Sequence, residues 1–215
     1  MAEKYKNCFT SKKFLLAIGV AVLLFAASLV VNFYAGTYAT DVQSGSVTDI
    51  VLSNTRAYDL ESIFVYGPVF LWVFVSFLGF SDPQKIPFII KSIALFVIIR
   101  SIFVSLTHLG PFPTSIAIDY TSSVVKKFTF GGDLFFSAHT GLPFLMALIF
   151  GENLFLFVVF TIVAIFFGAV VLLAHLHYSI DVLAAFFITY AIFQIAKKIF
   201  SKDWKIFKGE LSHLN

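Results

Sequence analysis

Charge and sulfur are what this chain has least of. Asp, Glu, Lys and Arg make up 13% of its 215 residues, where an ordinary soluble domain carries about 25%, and cysteine occurs once, at Cys8. So few charges do not suit a water-facing surface. A single cysteine excludes an internal disulfide and a cysteine-rich metal site, and leaves a free thiol near the first helix. Strong charge of one sign is missing too: the net +3 comes largely from the two tails. Lysines beside a membrane segment set topology or touch anionic lipid, so nucleic acid is not an expected partner. There is no low-complexity run and no clear internal repeat.

What fills the chain instead is apolar. Hydrophobic residues reach 59% with 29 phenylalanines, and the mean hydropathy is +0.93. This is the composition of an integral membrane protein. Six apolar runs, at 14–36, 63–80, 86–109, 134–150, 154–176 and 180–200, approach the roughly 20 residues that a spanning helix needs. The expectation is an all-α integral membrane fold, one membrane domain over 1–215, with six transmembrane helices. The polar stretch 37–62 reads as an extramembrane loop with a short interfacial helix at 47–54. With Lys197 and Lys198 counted with the tail, ten basic residues lie in the tails and the turn at Asp82, against three at Arg56, Lys126 and Lys127. That asymmetry predicts cytoplasmic termini on both ends. The oligomeric state is left open.

Six crossings bring Arg100, His139, His177 and Asp181 into the same leaflet, the outer one for this orientation. Ionisable groups in lipid need partners or a water-filled cavity and mark functional sites. In Ala174-His175-Leu176-His177-Tyr178-Ser179-Ile180-Asp181-Val182, His177 and Asp181 share a face if the segment is helical. A carboxylate one turn away fixes the imidazole tautomer and leaves the other nitrogen lone pair for attack or for a metal. In Gly131-Gly132-Asp133-Leu134-Phe135-Phe136-Ser137-Ala138-His139-Thr140-Gly141, two glycines and a helix start make an anion site, with His139 poised to protonate a phosphate oxygen. Arg100 supplies a forked set of donors to a phosphate. The plainer alternatives are a satisfied polar pair at His177 and Asp181, and Asp133 as an N-cap with Ser137 bonding backbone. Zinc held by His139, His177 and Asp181 is a further alternative, which gives Arg100 and the glycines nothing to do. Lys91 reads as an inner-leaflet snorkel, His175 as supporting, His108 as interfacial and His213 as uninvolved.

The two histidine blocks resemble those of a known group, the sphingomyelin synthase-like branch of the type 2 phosphatidic acid phosphatase superfamily. Gly132 to Thr140 resembles its G-D-x-x-x-S-G-H-T, and Ala174 to Val182 its A-H-x-H-Y-T-x-D-V. Ala138 stands where the branch has glycine and Ser179 where it has threonine. Ser46-Val47-Thr48-Asp49 replaces its proline-rich first motif, and Val170-Val171 replaces the Ser-Arg of ordinary phosphatidic acid phosphatases. The resemblance, from about Asp49 onward, implies catalysis by His177 as nucleophile, Asp181 as its orienting carboxylate and His139 as acid. Arg100, Ser137, Asp133 and Gly132 would bind the phosphate, and no metal or other cofactor would be needed.

The expectation is therefore a membrane enzyme attacking a lipid phosphate ester on the extracytoplasmic side through a phosphohistidine. It would be of the head-group phosphotransferase type with phospholipase C-like hydrolysis as a second outcome. Its partners would be a membrane phospholipid and a lipid hydroxyl acceptor. The near alternative is a lipid phosphate phosphatase, and the alternative of a different class is a proton-coupled transporter.

Overall fold

A computed structural model describes residues 2–116 and 134–211. Among them are eight α-helices, two short 3-10 turns and no strand: α1 (Ala2–Thr10), α2 (Lys12–Asp41), α3 (Glu61–Ser81), α4 (Ile86–Leu106), α5 (Ala138–Ile149), α6 (Leu154–Leu173), α7 (Ser179–Ile199) and α8 (Ser201–Phe207). The 3-10 turns are Leu52–Asn54 and Pro83–Lys85.

Five of these helices are long and apolar enough to cross a membrane, by length and composition: α2, α3, α4 with the turn before it, α6 and α7. They suit a multi-pass membrane protein. The expected sixth span is a helix of 12 residues, about 18 Å long at 1.5 Å per residue and short of the ~30 Å hydrocarbon core. Its first turn is lost to tertiary bonds. Arg100 Nε donates to the Phe136 carbonyl at 2.9 Å, and the Ser137 N–H donates to the Asp181 carbonyl at 3.3 Å. Phe136 itself sits at φ 63, so the chain enters α5 through a left-handed turn rather than a helical one.

The first span is longer than the apolar run that marks it. α2 is capped by Ser11, whose hydroxyl accepts from the Phe14 N–H, and runs for 30 residues from Lys12 to Asp41. Its buried positions include Ala21, Ser28, Ala35, Gly36 and Ala39, small side chains that let its backbone lie close along α4, as membrane helices without a hydrophobic drive between them require. α4 is the central helix, burying Phe88, Ile93, Phe96, Arg100 and Val104, and α5 packs between α6 and α7.

The core is weighted toward one end. Phe88, Trp204 and Phe207 form an aromatic cluster with Phe150, and Lys91 is buried there against Asp203 of α8 with Nζ···Oδ2 2.7 Å. The snorkel expected of Lys91 is thus corrected: its ammonium is held inward by a carboxylate that the sequence placed in a tail. Glu152 and Lys208 pair at the same end. At the opposite end the segment 42–60 folds back as a strap. The Ser44 N–H donates to the His108 carbonyl at 2.7 Å, and the Gly110 N–H to the Gly45 carbonyl at 3.2 Å. A Cβ on Gly110 would lie 2.2 Å from the Ser44 carbonyl oxygen, so only glycine allows this approach. Leu52 plugs the strap into a small apolar cluster with Leu134 and Tyr178.

Candidate active site

His177 and Asp181 meet, though not as one turn of a single helix. α7 begins only at Ser179, so His177 lies ahead of it and Asp181 in its first turn. Asp181 Oδ2 accepts from His177 Nδ1–H at 3.2 Å and from the Tyr178 N–H at 2.9 Å. One oxygen therefore ties the imidazole and the helix start together, where negative charge also suits the helix dipole. The other oxygen, Oδ1, is buried without a partner among the described residues. His177 is 7% exposed and Asp181 fully buried. With Nδ1 carrying the proton, the lone pair of His177 is on Nε2.

Ser137 and Arg100 join this pair through the backbone. Ser137 bonds Asp181 as described, and its hydroxyl is buried without a partner among the described residues. It is the N-cap of α5, yet its side chain makes no capping bond. The first N–H groups of α5 have no acceptor within the helix, so a buried hydroxyl and a helix start lie at the same place. Arg100 is 6% exposed and reaches this start through the Phe136 carbonyl.

His139, the second residue of α5, faces α3 and α6. Its ring stacks on Phe64 with centroids 4.0 Å apart, and Phe167 stands edge-on at 6.0 Å. Nε2 lies 3.2 Å from the Phe64 carbonyl, and since a carbonyl can only accept, Nε2 carries a proton. Phe167 also lines an apolar groove of about 300 Å³ between α3 and α6, with Gly67, Leu71, Phe160 and Val163. A Cβ on Gly67 would lie 2.6 Å from the Phe167 ring. Among the described residues no three His, Cys, Asp or Glu side chains are grouped to hold a metal ion.

The remaining sequence candidates separate clearly. Gly132 and Asp133 lie outside the described residues, as does His213. His108 is half-buried, with Nε2 on the Ser105 carbonyl at 3.2 Å. His175 is structural: it sits at φ 54 with Nε2 3.3 Å from Thr55 Oγ1 and Nδ1 2.5 Å from Thr114 Oγ1. Because the Thr55 hydroxyl donates to the Val51 carbonyl, it accepts from His175 Nε2–H, and Thr114 donates to Nδ1.

One participant was not read from the sequence as part of the site. Asp49 Oδ2 accepts from the Ser179 N–H at 2.7 Å and from its hydroxyl at 2.8 Å, while Oδ1 accepts from the N–H groups of Val51 and Leu52 at 2.8 and 3.0 Å. Burial pushes the Asp49 carboxyl up, but the donors from Leu52, Ser179 and Val51 outweigh it, and its pKa lies below the ordinary 3.8. Burial likewise pushes the Tyr178 hydroxyl up, helped by the negative charges of Asp181 and Asp49.

Comparison with known families bears on the same stretch. Residues 131–199 match the family model described as PAP2 superfamily C-terminal. The match supports membership of that superfamily. It takes in His139, His177 and Asp181, and the superfamily acts in general as a phosphatase on phosphate esters, so it suggests phosphatase- or phosphotransferase-type chemistry on a lipid phosphate. No curated protein and no solved structure gives a match.

Proposed function

We propose that this chain transfers the phosphorus-bearing group of a membrane lipid phosphate ester through a phosphohistidine at His177. The observation that carries this reading is the buried His177–Asp181 pair, with Nδ1 donating to Oδ2, beside a helix start that holds an unpartnered buried hydroxyl. In the first step the His177 Nε2 lone pair attacks phosphorus. A P–N bond forms while the bond from phosphorus to the leaving oxygen breaks, and that oxygen takes a proton from imidazolium His139. Because Nε2 of His139 is occupied by the Phe64 carbonyl, the proton given up is the one on Nδ1. The acceptor then attacks phosphorus, its proton passes to His139, the P–N bond breaks and His177 is regenerated. Arg100 and the first N–H groups of α5 offset charge on the phosphate oxygens.

The acceptor in this proposal is a lipid hydroxyl, following the resemblance of both histidine blocks to the sphingomyelin synthase-like branch, with water as the competing acceptor. The basic-residue asymmetry supports a reaction on the extracytoplasmic face. Support for a lipid substrate comes from the apolar groove between α3 and α6, which ends at Phe167 against His139 and suits a hydrocarbon tail. The test is turnover of labelled phosphatidic acid and phosphatidylcholine by the purified protein, with and without ceramide. Label should appear on the protein after an alkaline denaturing quench, which preserves a P–N bond. Phosphate or head-group release with no protein-bound label, and with His177→Ala still active, would sink the phosphohistidine mechanism.

A further inference from the structure

Tyr178 and Ser179, two of the three residues between His177 and Asp181, are gripped from outside their own segment. The Tyr178 hydroxyl donates to the Gly110 carbonyl at 2.8 Å and accepts from the Val47 N–H at 3.2 Å. Ser179 is held twice by Asp49 Oδ2. Both grips involve the strap 42–60, more than a hundred residues away in sequence. Asp49 is only 7% exposed, and with four donors its two oxygens are fully used. A buried carboxylate this completely bonded is rigid, and it fixes the residue that starts α7.

We propose that Asp49 is a positioning residue for His177: by clamping Ser179 it sets where α7 begins, and hence where the His177 ring stands when Asp181 holds its Nδ1. The inference rests on the phosphoryl-transfer reading. A nucleophile must be within about 3–3.5 Å of phosphorus and in line, and a displacement of about 1 Å costs on the order of a hundredfold in rate. Asp49 touches neither substrate nor imidazole, so its removal changes kcat and leaves KM nearly unchanged. Asparagine cannot replace it, because an amide has one accepting oxygen and can hold either Ser179 or the Val51–Leu52 pair.

The test measures kcat and KM for Asp49→Asn, Ser179→Ala and Ser179→Thr in detergent micelles, on whichever of phosphatidic acid and phosphatidylcholine turns over faster. Asp49→Asn is expected to lose about 10- to 100-fold in kcat with KM within about twofold. Ser179→Ala, which drops only the hydroxyl arm, should lose a few-fold, and Ser179→Thr, which keeps it, should match the parent. Asp181→Asn should cost less in the Asp49→Asn background than in the parent, since both act through one ring. Additive losses, a raised KM with unchanged kcat, or parental kcat in Asp49→Asn would overturn the proposal. If Asp49→Asn fails to fold, Ser179→Ala decides alone, and an unchanged kcat there overturns it. His177→Ala separates the two levels: if that variant keeps activity the phosphoryl-transfer reading itself falls, whereas an inactive His177→Ala with a normal Asp49→Asn removes only the role of Asp49.

Discussion

Replacing Asp181 by asparagine distinguishes two ways in which a carboxylate can serve a nucleophilic histidine. In the serine-protease triad such an amide leaves the geometry intact but fixes the wrong imidazole tautomer and costs about 10⁴ in rate. Here the same oxygen, Oδ2, accepts from both His177 Nδ1 and the Tyr178 N–H, and Oδ1 accepts from nothing. An asparagine that keeps its oxygen at the Oδ2 position preserves both bonds and merely replaces an unpartnered oxygen with an unpartnered NH₂. The reverse placement would set an amide donor against two donors. The oxygen-inward rotamer is therefore favoured twice over, the tautomer survives, and the loss is confined to charge assistance for the imidazolium.

That difference is about 1–2 kcal/mol, from the contrast between charged and neutral hydrogen bonds. At 1.36 kcal/mol per tenfold, it corresponds to a drop of roughly 5- to 30-fold. The assay is the single-turnover rate of protein labelling under alkaline quench, with a melting curve in detergent confirming that the variant is folded. His177→Ala should give no label. A loss beyond about a thousandfold in folded Asp181→Asn would mean that the amide turns and that Oδ2 does not hold the ring as described. Parental labelling rates would mean that Asp181 only caps α7.

Four further outcomes are expected. Lys91→Met should cost about 3–5 kcal/mol of stability by removing one partner of a buried ion pair, and Lys91→Met with Asp203→Leu should recover most of it in a melting curve; a deeper loss in the double variant would refute the pairing. The folded Asp49 carboxyl lies below its ordinary 3.8, so it contributes stability that is fully present above that pH and lost as pH falls through the folded value; melting temperatures of parent and Asp49→Asn should converge below about pH 4 and stay parallel above it. Turnover should persist in EDTA, and complete loss restored by zinc would bring back the metal reading. Cysteines placed at Ile50 and Lys205 in a Cys8→Ser background should label from opposite sides of sealed vesicles, Ile50 from outside, and the reverse pattern would invert the proposed topology.

How much of this was legible in the chain depends on the range of the interactions involved. The spans were readable because hydropathy acts locally, and their boundaries fell within a few residues except at α2 and α5. The His177–Asp181 relation was readable from a spacing that keeps two side chains adjacent, although the structure achieves it across a helix start rather than along a helix. What could not be read was set by partners far away in sequence. α5 starts late because Arg100 and Asp181 claim the backbone of Phe136 and Ser137, and Lys91 turns inward because of a carboxylate in α8. The grip of Asp49 on Ser179 has no local signature beyond an aspartate poised to bond its own next N–H groups.

The two ends of the molecule divide the energetic work. The strap end holds both of the non-glycine residues with positive φ among those described, Phe136 and His175, and such backbone costs of order 1–3 kcal/mol per residue and persists only where surrounding structure over-determines it. Each lies two or three residues before a candidate catalytic histidine. The same end holds two of the buried side-chain oxygens without a partner among the described residues, Ser137 Oγ and Asp181 Oδ1, each an uncompensated desolvation cost. Nothing in that inventory stabilises the fold, so the stability must come from elsewhere. The aromatic cluster of Phe88, Phe150, Trp204 and Phe207 contributes to it at the far end. Substitutions there should therefore lower the melting temperature while leaving kcat unchanged.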